Sequence, residues 1–319
     1  MNRRSASYEG LFAAVFSPMH PDGSLNLDLV GKLVEHLIRS GVRGMYICGS
    51  TGEGPTLTST ERMSVARAYI EAAQGRLVSI VQVGHESLAE AKKLAEHAAL
   101  VGADAISAVP PTYFPPRSEQ VLVDCLGEIA SGAPNLPLFY YHIPEKTGVR
   151  VDLLRFLQLC ESRLPSLVGV KYSTTTVYEL QQCIEELKGR ITMMFGCDEM
   201  LLSGLCAGAR GAVGSTYNFA APLYRRILTA LRNRELDEAR RWQGIAAQMV
   251  RIFQIHGGAP AIKGAMALLG LDCGPVRLPQ QPLSREALSA MRTDLERIGF
   301  FEWIHDRVQD GEEAQEGRR

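Results

Sequence analysis

The 319-residue chain has almost no net charge, with Lys+Arg 34 against Asp+Glu 35. That balance removes any overall electrostatic case for nucleic acid or an anionic membrane surface as a partner. A cysteine framework is missing too. Cys48, Cys125, Cys160, Cys183, Cys197, Cys206 and Cys273 are odd in number, scattered, and form no C-x-x-C pair. They argue against a disulfide scaffold or a cysteine-rich zinc site and for a reducing compartment. No uninterrupted apolar run approaches the roughly 20 residues of a membrane helix. Behind the N-terminal Met1–Ser7, Glu9 and Gly10 interrupt any secretory apolar segment. A soluble cytoplasmic protein is the expectation.

What is present is a 46% hydrophobic composition arranged as short apolar runs alternating with longer amphipathic ones. Eight runs read as strands: Gly10–Phe16, Gly44–Cys48, Val78–Val83, Ala105–Ala108, Pro137–Tyr141, Leu167–Lys171, Ile191–Phe195 and Gly211–Val213. Their starts recur every 20–34 residues. Helical patterns fall between them, among them Asn26–Ser40, Thr58–Ala73, Leu88–Val101, Ser118–Ser131 and Val151–Ser162. Thr58 with Glu61 is a capping-box pattern, and Ser118 precedes Glu119. Repeated βα units on this scale predict an α/β fold, a (β/α)8 TIM barrel over residues 8–222. A doubly wound sheet is the structural alternative, but no G-x-G-x-x-G follows the first strand. Beyond Leu223 the patterns Leu236–His256, Ala259–Leu269 and Ser284–Ile298 predict a helical C-terminal extension over 223–305. The polar ends, 1–7 and 311–319, read as frayed tails.

One residue sits badly in this scheme. The sixth strand ends Leu167-Val168-Gly169-Val170-Lys171, and a lone ammonium in a buried strand costs several kcal/mol unless paired. Such a lysine tends to shed its proton, and the free amine is a nucleophile towards carbonyl carbon. The plainer alternative is a strand-end lysine reaching out to solvent. In a (β/α)8 barrel the C-terminal strand ends form one mouth, and other chemistry gathers there. Gly49-Ser50-Thr51-Gly52-Glu53-Gly54 combines free backbone amides with two hydroxyls, suiting a carboxylate or oxyanion, or an ordinary helix-capping turn. The fifth strand ends Tyr140-Tyr141-His142, where alternation forbids both tyrosines from facing inward. A phenol near the lysine could shuttle protons; otherwise it packs. His142 has no partner at ligand spacing, so no metal site is expected. Asp198-Glu199 after the seventh strand could cap a helix or bind polyol hydroxyls. Pro110–Pro115 is a rigid aromatic loop suited to a lid or a subunit contact.

Together, Gly49–Glu53, Tyr141-His142-Ile143-Pro144 with Thr147-Gly148-Val149, Gly169-Val170-Lys171, Gly196 with Asp198-Glu199, and Gly211–Asn218 resemble the N-acetylneuraminate lyase family. This family lies within the pyruvate-dependent class I aldolases that include dihydrodipicolinate synthase. The similarity runs from about Tyr8 to Ile304, in order. It implies that Lys171 forms an imine with the C2 keto carbon of sialic acid and that Tyr141 shuttles the C4 hydroxyl proton. Ser50 and Thr51 would bind the pyruvyl carboxylate. Ser173, Gly196, Asp198, Glu199 and Ser215 match positions contacting the sugar, and Tyr113 matches an aromatic that neighbouring subunits exchange. The resemblance further implies a homotetramer with no metal or organic cofactor.

Two positions depart from the pattern. Lys146 stands where lyases carry an apolar residue and the synthase an arginine for a second substrate carboxylate; it could bind such a carboxylate or face solvent. Thr174-Thr175-Thr176 replaces a stretch that often contains an aspartate. Another pyruvate-dependent aldolase, such as dihydrodipicolinate synthase or a 2-keto-3-deoxy sugar acid aldolase, is therefore the alternative. A non-catalytic sugar-acid binding protein would bind saturably without turnover, and would need neither Lys171 nor Tyr141.

Overall fold

A computed structural model of the chain describes residues 8–304; the expected tails 1–7 and 311–319 lie outside them. Eight parallel strands close into a barrel in sequence order: β1 Gly10–Ala14, β2 Gly44–Ile47, β3 Val78–Gln82, β4 Ala105–Ala108, β5 Leu138–His142, β6 Leu167–Tyr172, β7 Thr192–Phe195 and β8 Gly211–Gly214. Closure comes from β8 pairing with β1, in the register Gly10↔Gly211 to Ala13↔Gly214. The expected (β/α)8 barrel is what the chain forms, and each strand lies within two residues of its expected ends.

Helices α1 Val30–Arg39, α2 Ser59–Ala73, α3 Leu88–Leu100 and α4 Glu119–Ala130 are followed by the one-turn α5 Pro144–Thr147. Then come α6 Leu153–Arg163, α7 Val177–Glu186, α8 Leu201–Cys206 and α9 Tyr217–Arg232. Their starts follow local chemistry. Thr58 and Glu61 form the reciprocal capping box of α2, and the side chains of Ser87, Ser118 and Asp152 cap α3, α4 and α6. Each such cap contributes about 1 kcal/mol.

The C-terminal helices are α10 Leu236–Ile255, α11 Ala259–Leu268, α12 Arg285–Arg297 and the one-turn α13 Phe300–Trp303. Helix α9 runs through position 222/223 with Pro222 inside it, and α10 packs along α9.

Two cores result. The large one fills the space between strands and helices. The smaller one fills the barrel, with Phe12, Tyr46, Ile80, Phe139, Tyr141 and Met194 among its members. Gly169 on β6 shows how tightly that interior is filled: a Cβ there would lie 2.2 Å from the Phe139 ring. Strand alternation then decides the site. Tyr141 belongs to the barrel interior while its neighbour Tyr140 packs among the outer helices, as the pleat requires.

Candidate active site

Lys171 is 4% exposed and projects into the barrel near its C-terminal mouth. Its Nζ stands 3.9 Å from the centroid of the Tyr46 ring and 4.1 Å from that of Tyr141. Among the described residues no carboxylate lies within ion-pairing distance of it. Burial pushes its ammonium below the usual lysine range, Lys146 adds to that push, and Tyr141 and Asp198 oppose it without cancelling it. For Tyr141, burial alone would raise the phenol. Lys171, together with hydrogen bonds to Ser50 and Lys171, outweighs burial and holds the phenol below its ordinary value. The two groups therefore titrate as a pair: burial drives the proton off the amine, and the phenol is held down by Lys171 only while that ammonium is charged.

The loop after β2 brings two hydroxyls to this pair from one backbone turn. Ser50 Oγ lies 3.3 Å from Tyr141 Oη. Thr51 Oγ1 lies 2.8 Å from Ser215 Oγ, which follows β8. Consecutive residues thus reach opposite sides of the mouth. A cavity of ≈ 340 Å³ opens beside Tyr141, lined by Ser50, Arg62, Thr112, Tyr141, Ile143 and Lys146. Lys146 lines this pocket with an exposed side chain, so it meets both the cavity and solvent.

Asp198, in the turn after β7, is buried and its Oδ2 is already engaged. It accepts hydrogen bonds from the Thr216 amide at 2.9 Å and the Thr216 hydroxyl at 2.6 Å. Burial raises its carboxyl to about 6 despite these bonds. Glu199 beside it is half-buried. Ser173, after β6, carries a buried Oγ with no partner among the described residues. Gly196 explains how close the β6 and β7 loops come: a Cβ at Gly196 would lie 2.1 Å from Ser173 Oγ. Tyr113 is elsewhere. It is 80% exposed and stacks edge-on against the exposed Phe114.

Lys171, Tyr141, Ser50, Thr51 and Ser215 are thus brought together, Ser173, Gly196, Asp198 and Glu199 rim them on the β6–β7 side, and Tyr113 stands apart. Three contributors escaped sequence reasoning. Tyr46 forms one wall against Lys171 and donates to Ser107 Oγ at 2.9 Å. Thr216 occupies the Asp198 carboxylate. Glu53 was visible only as part of a glycine-rich turn. The signal for Tyr46 was its parity: it lies two residues after the inward Gly44 and just before the Gly49 loop.

A desolvated amine, an ionisable phenol and converging hydroxyls at the mouth of a (β/α)8 barrel define an aldolase-type carbon–carbon lyase centre. The chain belongs to the Dihydrodipicolinate synthetase family, which it matches over residues 7–298. Among curated relatives, the N-acetylneuraminate lyase of Homo sapiens is 35% identical over 92% of this chain and 93% of its own. That of Gallus gallus is 36% identical over 91% of this chain and 96% of its own. Among solved structures, the N-acetylneuraminate lyase of Proteus mirabilis superposes with a TM-score of 0.89 at 34% identity, covering 92% of this chain and 99% of its own.

Proposed function

We propose that the protein is an N-acetylneuraminate lyase, cleaving sialic acid reversibly to N-acetylmannosamine and pyruvate through a Schiff base on Lys171. The observation that carries the reading is the buried Lys171 amine set against the Tyr141 phenol, with Ser50 in contact with that phenol. The lyase relatives supply the substrate. The Lys171 amine adds to the C2 keto carbon of the open-chain sugar, and water leaves as the imine forms. Tyr141, left as the phenolate once it has protonated the imine, takes the proton of the C4 hydroxyl while the C3–C4 electron pair moves onto the iminium, and it then holds that proton for C3 of the enamine. N-acetylmannosamine departs as the aldehyde and an enamine remains. Protonation at C3 and hydrolysis then release pyruvate and free Lys171. The iminium is the electron sink, so the steps call for neither metal nor organic cofactor.

Ser50 and Thr51 take the pyruvyl carboxylate, and Ser173, Gly196, Asp198, Glu199 and Ser215 face the sugar. The reading extends to a homotetramer in the cytoplasm, with the exposed Tyr113 reaching a neighbouring subunit's site. Among the described residues no helix is long and apolar enough to cross a membrane. The pocket position of Lys146 favours a second reading, an aldolase of the same family whose other substrate carries a carboxylate. The proposed division into a barrel unit over 8–222 and a helical extension from 223 onward has α9 crossing its boundary.

The test is borohydride reduction in the presence of N-acetylneuraminate or pyruvate, followed by peptide mapping. A reduced adduct on Lys171, with N-acetylmannosamine released in an unquenched control, is the expected result. An adduct with pyruvate alone would transfer the assignment to another aldolase, and no adduct with either would leave a sugar-acid binding protein.

A further inference from the structure

The loop that carries Ser50 and Thr51 ends at Glu53, a residue held in the left-handed backbone region at φ 55 and only 3% exposed. Cys48, at the start of the same loop, is also left-handed, at φ 57. Two non-glycine residues in that region within six positions mark a backbone imposed by its surroundings. The surroundings are the C-terminal extension. Lys263 of α11, itself 3% exposed, donates from Nζ to Glu53 Oε1 at 2.7 Å and to the Pro275 carbonyl at 2.7 Å. The backbone amide of Arg277 donates to Glu53 Oε2 at 2.8 Å. Arg277 then fastens its own segment to the barrel by ion-pairing with Glu61, the capping-box partner of Thr58 in α2, and by donating to the Gly23 carbonyl.

From this geometry we infer that Glu53 and Lys263 are positioning residues: the buried pair ties the C-terminal extension to the carboxylate-binding loop and sets where Ser50 and Thr51 stand. The inference rests on the lyase reading for the meaning of that loop. A buried ion pair is a poor investment for stability alone, since apolar packing of similar volume serves as well. What it adds is a fixed point. Both Glu53 oxygens are committed, and the Glu53 amide returns to the Ser50 carbonyl at 3.1 Å. Glu53 therefore passes a constraint from α11 directly onto the residue that touches Tyr141. The same extension also reaches the β7 turn, where Gln243 of α10 donates to the Asp198 carbonyl at 3.3 Å.

The test compares Lys263→Met, Glu53→Gln/Lys263→Met and Arg277→Ala with the full-length wild type. It reads thermal unfolding, hydrogen exchange of the Glu53 and Gly54 amides, and the pyruvate concentration for half-maximal borohydride trapping. Lys263→Met leaves a buried carboxylate unpaired and should destabilise the fold. In the double variant the charge is gone, so stability should recover while loop exchange stays accelerated and half-maximal trapping needs more pyruvate, up to about 10²-fold for a displacement near 1 Å. The part-exposed Arg277→Ala should shift the same two readouts in the same direction by less. A double variant with wild-type exchange and wild-type trapping would reduce the pair to a stability element and overturn the inference. Should wild type itself form no adduct, the lyase reading falls, and exchange of the loop amides still decides the coupling.

Discussion

Replacing Lys171 by methionine should make the protein more stable while removing its chemistry. The lysine is 4% exposed and has two aromatic faces near its Nζ, but among the described residues no ion-paired carboxylate. Withdrawing an ammonium from water costs several kcal/mol even after relaxation, and desolvated cation–π contacts return about 2 kcal/mol. Methionine fills nearly the same volume without the penalty, so the fold should gain about 1–3 kcal/mol, within the span seen when buried ions give way to apolar groups. With an unfolding entropy of about 0.6 kcal/mol/K for a chain of this length, the melting midpoint should rise by about 2–5 °C. The sign with pH follows from linkage. The lysine pKa is lowered in the folded state from about 10.4 in the unfolded chain. Between those two values the unfolded chain holds the extra proton, so wild-type stability climbs with pH. The advantage of Lys171→Met is therefore fullest below the folded pKa and closes as pH approaches about 10.4. Thermal melts of both proteins across pH, with pyruvate trapping alongside, make the measurement. A variant that melts lower than wild type, or an advantage that widens with pH, would mean a well-paired ammonium and would remove the physical basis for the nucleophile.

Further outcomes follow from the same contacts. Tyr141→Phe should lower turnover by about 10²–10⁴-fold, the worth of a positioned acid–base group, while borohydride still traps pyruvate on Lys171; turnover near the wild-type rate would take the proton shuttle away from Tyr141. Gly196→Ala places a methyl 2.1 Å from Ser173 Oγ and should cost about 1–3 kcal/mol in denaturant melts; Ser173→Ala in the same chain should recover most of it, and an equally unstable double variant would mean the clash lies elsewhere. Asp198, raised to about 6, sits above its unfolded value, so its stabilising contribution is complete below about pH 4 and is lost as pH rises through about 6. If its charge receives the sugar hydroxyls, cleavage should rise over the same interval and Asp198→Asn should erase that limb; an unchanged limb in the variant would assign it to another group.

Most of the barrel was legible because its strands are short, apolar and separated by capped amphipathic helices. The small disagreements sit at ends. Strands β1 and β3 stop at Ala14 and Gln82, short of the expected Phe16 and Val83, yet the Val15 amide still bonds Tyr46 O at 3.1 Å and that of Val83 bonds Ser107 O at 2.7 Å. These residues continue the ladder while already turning into the mouth. Helix α1 begins at Val30 rather than Asn26 because Leu27–Leu29 form a 3-10 turn first. Lys171 was legible by contrast with its apolar run; alternation allowed only one of Tyr140 and Tyr141 inside, and the family resemblance, not the pleat, singled out Tyr141. Contacts that exist only after closure were not. Glu53 and Lys263 are 210 residues apart, and neither has a local pattern that points to the other. The crowding of Ser173 against Gly196 likewise depends on how two neighbouring strands end.

The arrangement of Ser50 and Thr51 has a consequence for any substitution in this loop. Ser50 touches the phenol on the β5 side of the mouth, and Thr51 touches Ser215 on the β8 side. In the lyase reading the first contact serves proton transfer at the reacting bond and the second lies towards the sugar. One backbone turn therefore sets both, and that turn is held at Glu53 by the extension. A displacement of the turn moves both hydroxyls together and must be felt at the phenol and at the sugar side at once. Losses from Ser50→Ala and from a variant that releases Glu53 should then fall short of additive, because the second has already removed the contact that the first deletes.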